Sequence, residues 1–164
     1  MIIGKTVRIR QPQLVSIGDS TIIDDFTYIS SALEVGKHCH IASNVNISGG
    51  KGKLIIGDYS TLSTHVSVHC GSSDYKSLSM DLPSVHEELQ FGGMIEDVKI
   101  ERFVTVGAHS CILPGAKLPK GSAYGAYTLV KKSPLLPYHL YVGSKCTDLG
   151  ERDLSKINKL ENIS

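Results

Sequence analysis

The chain has 164 residues, enough for one domain with a substantial core, and its 17 lysine and arginine residues nearly balance 16 aspartate and glutamate residues. This balance argues against nucleic acid or an anionic membrane surface as a bulk partner. Sixteen glycines, no tryptophan and only three phenylalanines favour short strands and tight turns over packed amphipathic helices.

The N-terminal segment carries charges from Lys5 onward and lacks the apolar run of a signal peptide, and no stretch of the chain is an apolar membrane span. The four cysteines lie far apart without a CxxC pair, which argues against a metal knuckle or a redox motif. Four reduced thiols are typical of the cytoplasm, so we expect a cytoplasmic protein.

From Ile17 to Val130 the sequence consists largely of six-residue units such as IGDSTI, VGKHCH and VGAHSC. Position one is nearly always Ile, Leu or Val, position two is often Gly or Ala, and position five is usually Ser, Thr, Ala, Val or Cys. Because side chains alternate between the two faces of a strand, positions one and five can both point inward. Three units make one turn of 18 residues, the spacing of Ile17 and Val35. The repeat predicts an all-β fold, a parallel β-helix of about five coils.

Two intervals break this period. Val35 to Ile56 holds three extra residues, which we assign to residues 48–53, and Ile56 to Ile100 holds 26, roughly residues 71–97. A long loop on a rigid scaffold is usually functional or disordered, and the acidic, aromatic and proline residues of this one favour order. The sequence therefore predicts one extruded and ordered loop over about 71–97.

The repeat ends after Val130, where two prolines follow. Apolar residues at three-residue steps from Leu154 onward predict a short C-terminal α-helix that covers the open strand edge of the last coil. The predicted organisation is one β-helix domain over residues 1–150, followed by a helical tail over residues 151–164.

The segments IGDYSTLSTHVSV and VTVGAHSCILPGAKLPKGSAYGAYTLVKK resemble the hexapeptide-repeat acyltransferases. Within that family the chain is most similar to the galactoside and maltose O-acetyltransferases and to short sugar acetyltransferases of O-antigen and capsule synthesis, over about residues 3–148. The resemblance implies a left-handed β-helix, a homotrimer and acetyl-CoA as acyl donor, with no metal. It also implies acetyl transfer to a hydroxyl or amino group of a sugar or nucleotide sugar, and the choice between the two acceptor atoms stays open.

The family binds acetyl-CoA in a groove between adjacent subunits, mostly through backbone groups of the late coils. The resemblance places Gly107, Ala108, Gly125 and Ala126 in this groove. The pair Lys131–Lys132 matches a Thr-Lys pair that meets the CoA phosphates, a task for which ammonium groups are suited. The alternative interpretation is that the small residues only form turns and that the lysines are only solvated.

Acyl transfer from a thioester needs a base for the proton of the acceptor and hydrogen-bond donors for the developing oxyanion. The family base is a histidine, often in the extruded loop, where this chain has Ser73. Counting in turns of the repeat instead stacks Asn44, His65 and His109 on one corner. We therefore expect His65 as the base, with His69 at the start of the loop as the second candidate.

Three residues are candidates for contact with the sugar. Asn44 matches a substrate-contacting asparagine of the galactoside branch. Asp74 can orient a histidine or hold the sugar, and Tyr75 completes the acidic-Tyr pair that similar loops carry. Against this, polar residues at corners are commonly solvated turn formers.

Two other functions stay open. A zinc enzyme of the γ-carbonic anhydrase type uses three histidines that converge on the metal, and His65, His69 and His109 are the candidates here. However, the first two lie four residues apart, where that family has five. The third possibility is a catalytically inactive scaffold, since the loop histidine is missing.

Overall fold

The computed structural model describes residues 1–156 and 159 and shows a parallel β-helix with a triangular cross-section. In chain order its strands are β1 (Ile2–Ile3), β2 (Arg8–Ile9), β3 (Val15–Ile17), β4 (Ile22–Ile23), β5 (Tyr28–Ile29), β6 (Ala32–Val35), β7 (His40–Ile41), β8 (Asn46–Ser48), β9 (Lys53–Ile56), β10 (Thr61–Leu62), β11 (Ser67–His69), β12 (Gly71–Ser72), β13 (Met94–Ile95), β14 (Val98–Ile100), β15 (Thr105–Val106), β16 (Cys111–Ile112), β17 (Lys117–Leu118), β18 (Ala123–Tyr124), β19 (Leu129–Val130), β20 (His139–Val142) and β21 (Thr147–Glu151). Two short 3-10 helices are Pro12–Leu14 and Glu87–Leu89. Among the described residues there is no helix whose length and apolar character would let it cross a membrane.

Three sheets form the faces of the prism. Sheet A has the order β1-β4-β7-β10-β15-β18-β20-β21, sheet B the order β19-β16-β11-β8-β5-β2, and sheet C the order β17-β14-β9-β6-β3. Successive turns of the chain pair in parallel, and within these three sheets only β21 runs antiparallel, against β20. Each turn therefore contributes one short strand to each face.

The predicted parallel β-helix is confirmed, but it has about seven turns instead of about five, as the seven parallel strands of sheet A show. The additional turns come from the segments before Ile17 and after Val130, which do not follow the repeat. β1 pairs with β4, and β20 pairs with β18. Backbone hydrogen bonds require no particular side chain, so a terminal coil can form on the edge that the repeat presents.

The core is a stack of the side chains at position one of the repeat. From Ile23 to Val130 each of these side chains is at most 3% exposed. Val35 lies opposite Ile56 in the strand register, and Ile56 lies opposite Ile100. Full burial of such a side chain stabilises a fold by about 1.5–3 kcal/mol, so this continuous stack is the main source of stability.

Buried hydroxyl groups at position five close the corners between strands. The Ser110 Oγ donates to the Gly125 carbonyl at 3.1 Å and accepts from the Thr128 N–H at 3.2 Å. The Ser60 Oγ bonds in the same way to the Glu101 carbonyl and the Val104 N–H. These hydroxyls satisfy backbone groups that the corners leave without a strand partner.

Both predicted insertions are confirmed. The shorter one turns the chain between β8 and β9, where Gly49 and Gly50 have positive φ values of 132° and 59°. Gly49 is also required by close packing, because a Cβ at this position would lie 2.3 Å from the backbone nitrogen of Gly71.

The longer insertion leaves the β-helix after Cys70 and returns at Glu96, whose N–H donates to the Cys70 carbonyl at 3.1 Å. β12 and β13 pair antiparallel at its base, and Met80 bridges to Phe91 further out. The loop is thus an ordered hairpin-like arm, as predicted.

The C-terminal segment covers the last edge of sheet A with a strand. β21 pairs with β20 and ends at Glu151, where the predicted helical tail begins. Glu151 belongs to β21 and residues 152–156 are not helical, while most of the remaining predicted helix lies outside the described residues. The division into residues 1–150 and 151–164 stays a prediction.

Candidate functional site

The corner between sheets A and B carries a ladder of side chains on left-handed backbone. Asn44, His65, His109 and Tyr127 occupy equivalent positions on successive turns, with φ values of 58° to 60°. The His65 ring stacks on His109 with centroids 4.7 Å apart, and His109 stacks on Tyr127 at 4.9 Å. The structure therefore places Asn44, His65 and His109 one above another, as the repeat spacing predicts.

Thr64 sets the hydrogen bonding of the His65 ring. The Thr64 Oγ1 donates to the Ser43 carbonyl at 2.9 Å and lies 2.9 Å from His65 Nδ1. Because the hydroxyl has only one proton, Nδ1 then carries the ring proton and donates it to Oγ1. In this tautomer the ring lone pair is on Nε2 of the exposed side chain, which has no hydrogen-bond partner among the described residues. An exposed nitrogen lone pair is the feature that a general base requires.

His69 lies at the other end of β11, half-buried on the outward face of sheet B. Its Nδ1 is 3.0 Å from the Ser48 Oγ, and the ring also forms a hydrogen bond with the Cys111 side chain. The bond to Cys111 raises the pKa of His69, and burial partly opposes this shift. Because the imidazole is engaged on two sides, it is less free than His65 to take a proton from a substrate.

The loop residues Asp74 and Tyr75 lie beyond β11, whereas His65 precedes it. The Asp74 carboxylate accepts hydrogen bonds from the N–H groups of Lys76 at 2.9 Å and Ser77 at 3.2 Å, which hold its pKa below the usual value. The Tyr75 side chain is 91% exposed. Among the described residues no hydrogen bond or ring contact joins either of them to the ladder.

The predicted CoA-binding residues Gly107, Ala108, Gly125 and Ala126 lie beside the ladder on two successive turns. A Cβ at Gly107 would lie 2.5 Å from the backbone nitrogen of Ala126, so the stacking of the turns itself requires this glycine. Ala126 is exposed and Ala108 is half-exposed. Together these four residues form a strip of small residues along the corner, next to the imidazole rings.

The two predicted phosphate-binding lysines follow β19. The Lys132 Nζ pairs with the Glu96 carboxylate at 2.5 Å, which ties the end of the loop to the last repeat. Lys131 is exposed, and no described residue forms an ion pair with it. Lys131 is therefore the more available cation of the two.

Two concave surfaces of the described chain lie away from the ladder. A cavity of about 240 Å³ at the corner between sheets C and A is lined in part by Phe103, Tyr138 and Arg152, and a groove of about 540 Å³ follows sheet C. Neither contains a predicted site residue.

No three His, Cys, Asp or Glu side chains among the described residues are placed to hold a metal ion. His65 and His109 are stacked face to face, and His69 lies at the far end of β11. The three histidines that a zinc enzyme would need therefore do not converge within one described chain.

Two residues of this region, Thr64 and Cys111, are not indicated by the sequence pattern as site residues. Thr64 immediately precedes the ladder, and Cys111 lies one turn above Ser67 in the strand register. The spacing of the turns aligns Cys111 with Ser67 and could have placed Cys111 near His69. The diagonal contact with His69 itself depends on side-chain conformation.

Comparison with known proteins points to one class of enzyme, although no protein-family model matches the chain. The chain is 31% identical over 155 residues to an Escherichia coli dTDP-4-amino-4,6-dideoxy-D-glucose acyltransferase, covering 91% of this chain and 77% of the relative. It superposes with a TM-score of 0.89 on the N-acyltransferase AntD of Bacillus cereus in complex with dTDP and 3-hydroxybutyryl-CoA, at 30% identity over 98% of this chain and 84% of AntD. A variant of AntD was solved with dTDP-4-amino-4,6-dideoxyglucose and coenzyme A.

A hexapeptide-repeat acetyltransferase from Vibrio cholerae superposes with a TM-score of 0.56 at 14% identity, over 92% of this chain and 69% of that one. At this level of identity the similarity supports the fold alone.

Proposed function

The chain belongs to the family of hexapeptide-repeat sugar acyltransferases, and from this premise we propose that it transfers an acyl group from a CoA thioester to the amino group of a nucleotide-linked amino sugar. The observation that carries the proposal is the superposition of almost the whole chain on AntD with dTDP and an acyl-CoA bound. The E. coli relative is also named for an amino sugar linked to dTDP. A dTDP-linked 4-amino sugar is therefore the first substrate to test.

The acceptor atom suits the residues of this chain. The reaction forms an amide bond between the sugar nitrogen and the acyl carbon, breaks the C–S bond of the thioester and releases the CoA thiol. An amine is a stronger nucleophile than a hydroxyl and needs help only with the loss of its proton. The absence of a histidine at Ser73 in the loop is thus compatible with N-acylation.

In this proposal the Nε2 of His65 accepts the proton of the sugar ammonium. This role is supported by the two hydrogen bonds of Thr64 Oγ1, which donates to the Ser43 carbonyl and accepts from His65 Nδ1, so that Nε2 faces solvent. His69, which is held by Ser48 and Cys111, is the second candidate. Asn44, one turn below His65, and Asp74 and Tyr75 in the loop are proposed to contact the sugar.

The acyl donor is proposed to lie along the strip of small residues, where the absence of large side chains allows the pantetheine arm to approach the backbone. Lys131 then meets a CoA phosphate, and Lys132 holds the loop end through Glu96 while adding positive potential. Gly107 would serve both this approach and the packing of the turns, because a Cβ at this position would lie 2.5 Å from the Ala126 nitrogen.

A homotrimer is proposed because the residues of the site lie on open surface within one chain, and a second subunit would supply the opposite wall. The loop supports this arrangement. Its apolar side chains include Leu78 at 86% and Leu89 at 66% exposure, which is unusual for a loop without a partner surface. Sedimentation equilibrium of the purified protein tests this proposal, and a monomer at micromolar concentration would contradict it.

The biological setting is proposed from the substrates. Nucleotide sugars and acyl-CoA thioesters are metabolites of the cytoplasm, which agrees with the four reduced cysteines. The acylated nucleotide sugar would then be a precursor of a surface polysaccharide such as O-antigen or capsule.

The activity is tested with purified protein, dTDP-4-amino-4,6-dideoxyglucose and either acetyl-CoA or 3-hydroxybutyryl-CoA. We expect stoichiometric release of free CoA thiol and a product whose mass increases by one acyl group. The matched control is dTDP-6-deoxyglucose, which has a hydroxyl in place of the amino group.

Transfer to the hydroxyl control at the same rate would contradict N-acylation. Absence of transfer to both acceptors, together with no detectable acyl-CoA binding at millimolar concentration, would favour the inactive scaffold.

A further inference from the structure

The outward face of sheet B holds a cluster of three polar side chains, Ser48, His69 and Cys111, on β8, β11 and β16. Ser48 lies directly opposite His69 in the strand register, and the Ser48 Oγ is 3.0 Å from His69 Nδ1. Cys111 lies opposite Ser67, two residues before His69. His69 and Cys111 are therefore diagonal neighbours, within reach of one another across adjacent strands.

The outward side chains paired with the cluster in the strand register are uncharged. Ser67 also contributes a hydrogen bond to the Cys111 side chain. On the outer strands of the same face, Asn46 and Leu129 occupy the outward positions paired with Ser67 and Cys111. His69 is thus the titratable side chain that acts on the Cys111 sulfur.

The four cysteines of the chain differ in both access and acidity. Cys39 and Cys70 are at most 2% exposed, and burial raises the pKa of Cys70 to about 11. Cys146 is half-exposed, but burial and the nearby Asp148 raise its pKa. Cys111 is also half-exposed, and the hydrogen bond from His69 lowers its pKa. Cys146 is therefore a matched internal control for Cys111.

We infer that Cys111 is a reactive thiol, activated by the Ser48–His69 pair, and that it is a modification site for disulfides and soft electrophiles. The thiolate is the reacting form of cysteine, and a histidine that donates to the sulfur stabilises it. With a disulfide, the Cys111 thiolate attacks one sulfur, a new S–S bond forms, the old one breaks, and the second sulfur leaves as a thiolate. The disulfide itself is the oxidant, so no further reagent is required.

The disulfide of coenzyme A is a natural candidate reagent, and this choice alone rests on the proposed function. Cys111 follows the Gly107–Ala108 corner by three residues, next to the strip of small residues where the acyl donor is proposed to lie. A CoA moiety bound to Cys111 through a mixed disulfide would occupy the same region and withdraw the thiolate from His69. We expect this modification to inhibit acyl transfer and a reducing agent to restore it.

The chemical test does not depend on enzymatic activity. Native full-length protein is treated with substoichiometric iodoacetamide over a range of pH values, and the alkylated cysteines are quantified by peptide mass spectrometry. We expect Cys111 to react at pH 7 at least about tenfold faster than Cys146, with a midpoint of its pH–rate profile below that of Cys146. Equal rates, or faster labelling of Cys146, would overturn the inference.

Variants test the role of the histidine. His69→Gln should slow the alkylation of Cys111 to about the rate of Cys146 and raise the midpoint of the profile. His86→Gln, in the loop, should leave both unchanged. An unchanged Cys111 profile in His69→Gln would show that His69 does not activate the thiol, while the wild-type profile remains informative even when that variant folds poorly.

The same preparations are then treated with CoA disulfide and assayed for acyl transfer. Cys111→Ser should abolish both the adduct and the inhibition. Rapid adduct formation at Cys111 in a protein without acyl transfer would support the reactive thiol and reject the proposed function. Acyl transfer by a protein whose Cys111 is unreactive would support the proposed function and reject the reactive thiol.

Discussion

His65 and His109 stack with ring planes 12° apart and centroids separated by 4.7 Å, although 44 positions of sequence separate them. The contact exists because the long loop adds residues without shifting the register of the turns on either side. β9 and β14 pair residue for residue across the insertion. The position of the proposed base is therefore set by the β-helix and not by the loop.

His65→Gln should reduce kcat for acyl transfer by about a hundredfold, because the amide cannot take the proton of the sugar ammonium. The KM for acyl-CoA should change little. Steady-state kinetics with the amino sugar measures both. The matched control is His86→Gln, and His69→Gln should lie between the two. A larger loss of kcat in His69→Gln than in His65→Gln would reverse the assignment of the base.

Thr64→Val should lower kcat by about tenfold, since the hydroxyl that sets the His65 tautomer is lost while the side-chain shape is kept. Thr64→Ser should restore most of the activity because the hydroxyl is present again. Thr147→Val, on exposed β21, is the control. An equal loss in Thr64→Val and Thr64→Ser would indicate a packing role only.

Asp74→Asn should raise the KM for the amino sugar by about tenfold and leave the KM for acyl-CoA unchanged, because a carboxylate binds an ammonium or sugar hydroxyls more strongly than an amide does. The bonds from the Lys76 and Ser77 N–H groups lower the pKa of Asp74, so the carboxylate is charged at neutral pH and the effect should persist across the neutral range. Asp81→Asn in the same loop is the control. Equal KM values for wild type and Asp74→Asn would remove Asp74 from the site.

Lys131→Met should raise the KM for acyl-CoA by about threefold to tenfold, because one charge-assisted contact with a phosphate is lost. Lys132→Met should have a smaller direct effect, since Lys132 is already paired with Glu96. The acyl thioester of pantetheine, which lacks the CoA phosphates, is the control substrate. Should Lys131→Met weaken both thioesters equally, the lysine does not bind a phosphate.

Ser110→Ala should lower the free energy of unfolding by about 1–3 kcal/mol, because the buried Thr128 N–H loses its partner and the Gly125 carbonyl keeps only the Thr128 Oγ1 as a donor. Urea denaturation followed by far-UV circular dichroism measures the change. Ser84→Ala on the exposed loop should be neutral within about 0.5 kcal/mol. Similar stability of the two variants would show that the corner hydroxyls are dispensable.

The sequence predicts the interior of this protein well because each turn repeats one physical solution. The residue at position one, aliphatic in every unit except at Tyr124, is buried from Ile23 to Val130, and the same spacing aligns Asn44, His65 and His109. The terminal coils escape prediction because they lack the six-residue pattern, although they pair in parallel with the repeat and Tyr141 stacks on Tyr124. β21 extends along β20 because an open strand edge favours the pairing of a further strand.

The details of the candidate site are harder to predict. The spacing places His65 on a corner, but the contact between Thr64 Oγ1 and His65 Nδ1 depends on side-chain conformation. His69 on β11 and Cys111 on the adjacent β16 are diagonal neighbours. Counting residues in turns of 18 aligns only directly opposite positions and therefore does not reveal this pair. The relation of Asp74 to the ladder depends on the loop and on the arrangement of subunits, neither of which the repeat specifies.

The two ends of the long loop meet at one short junction, where the Glu96 N–H donates to the Cys70 carbonyl and β12 pairs with β13. A loop closed in this way can be lengthened, shortened or replaced while the junction with the β-helix keeps its geometry. If Asp74 and Tyr75 contact the sugar as proposed, grafting the corresponding loop of a relative between Cys70 and Glu96 should alter sugar preference while the stacked histidines keep their positions.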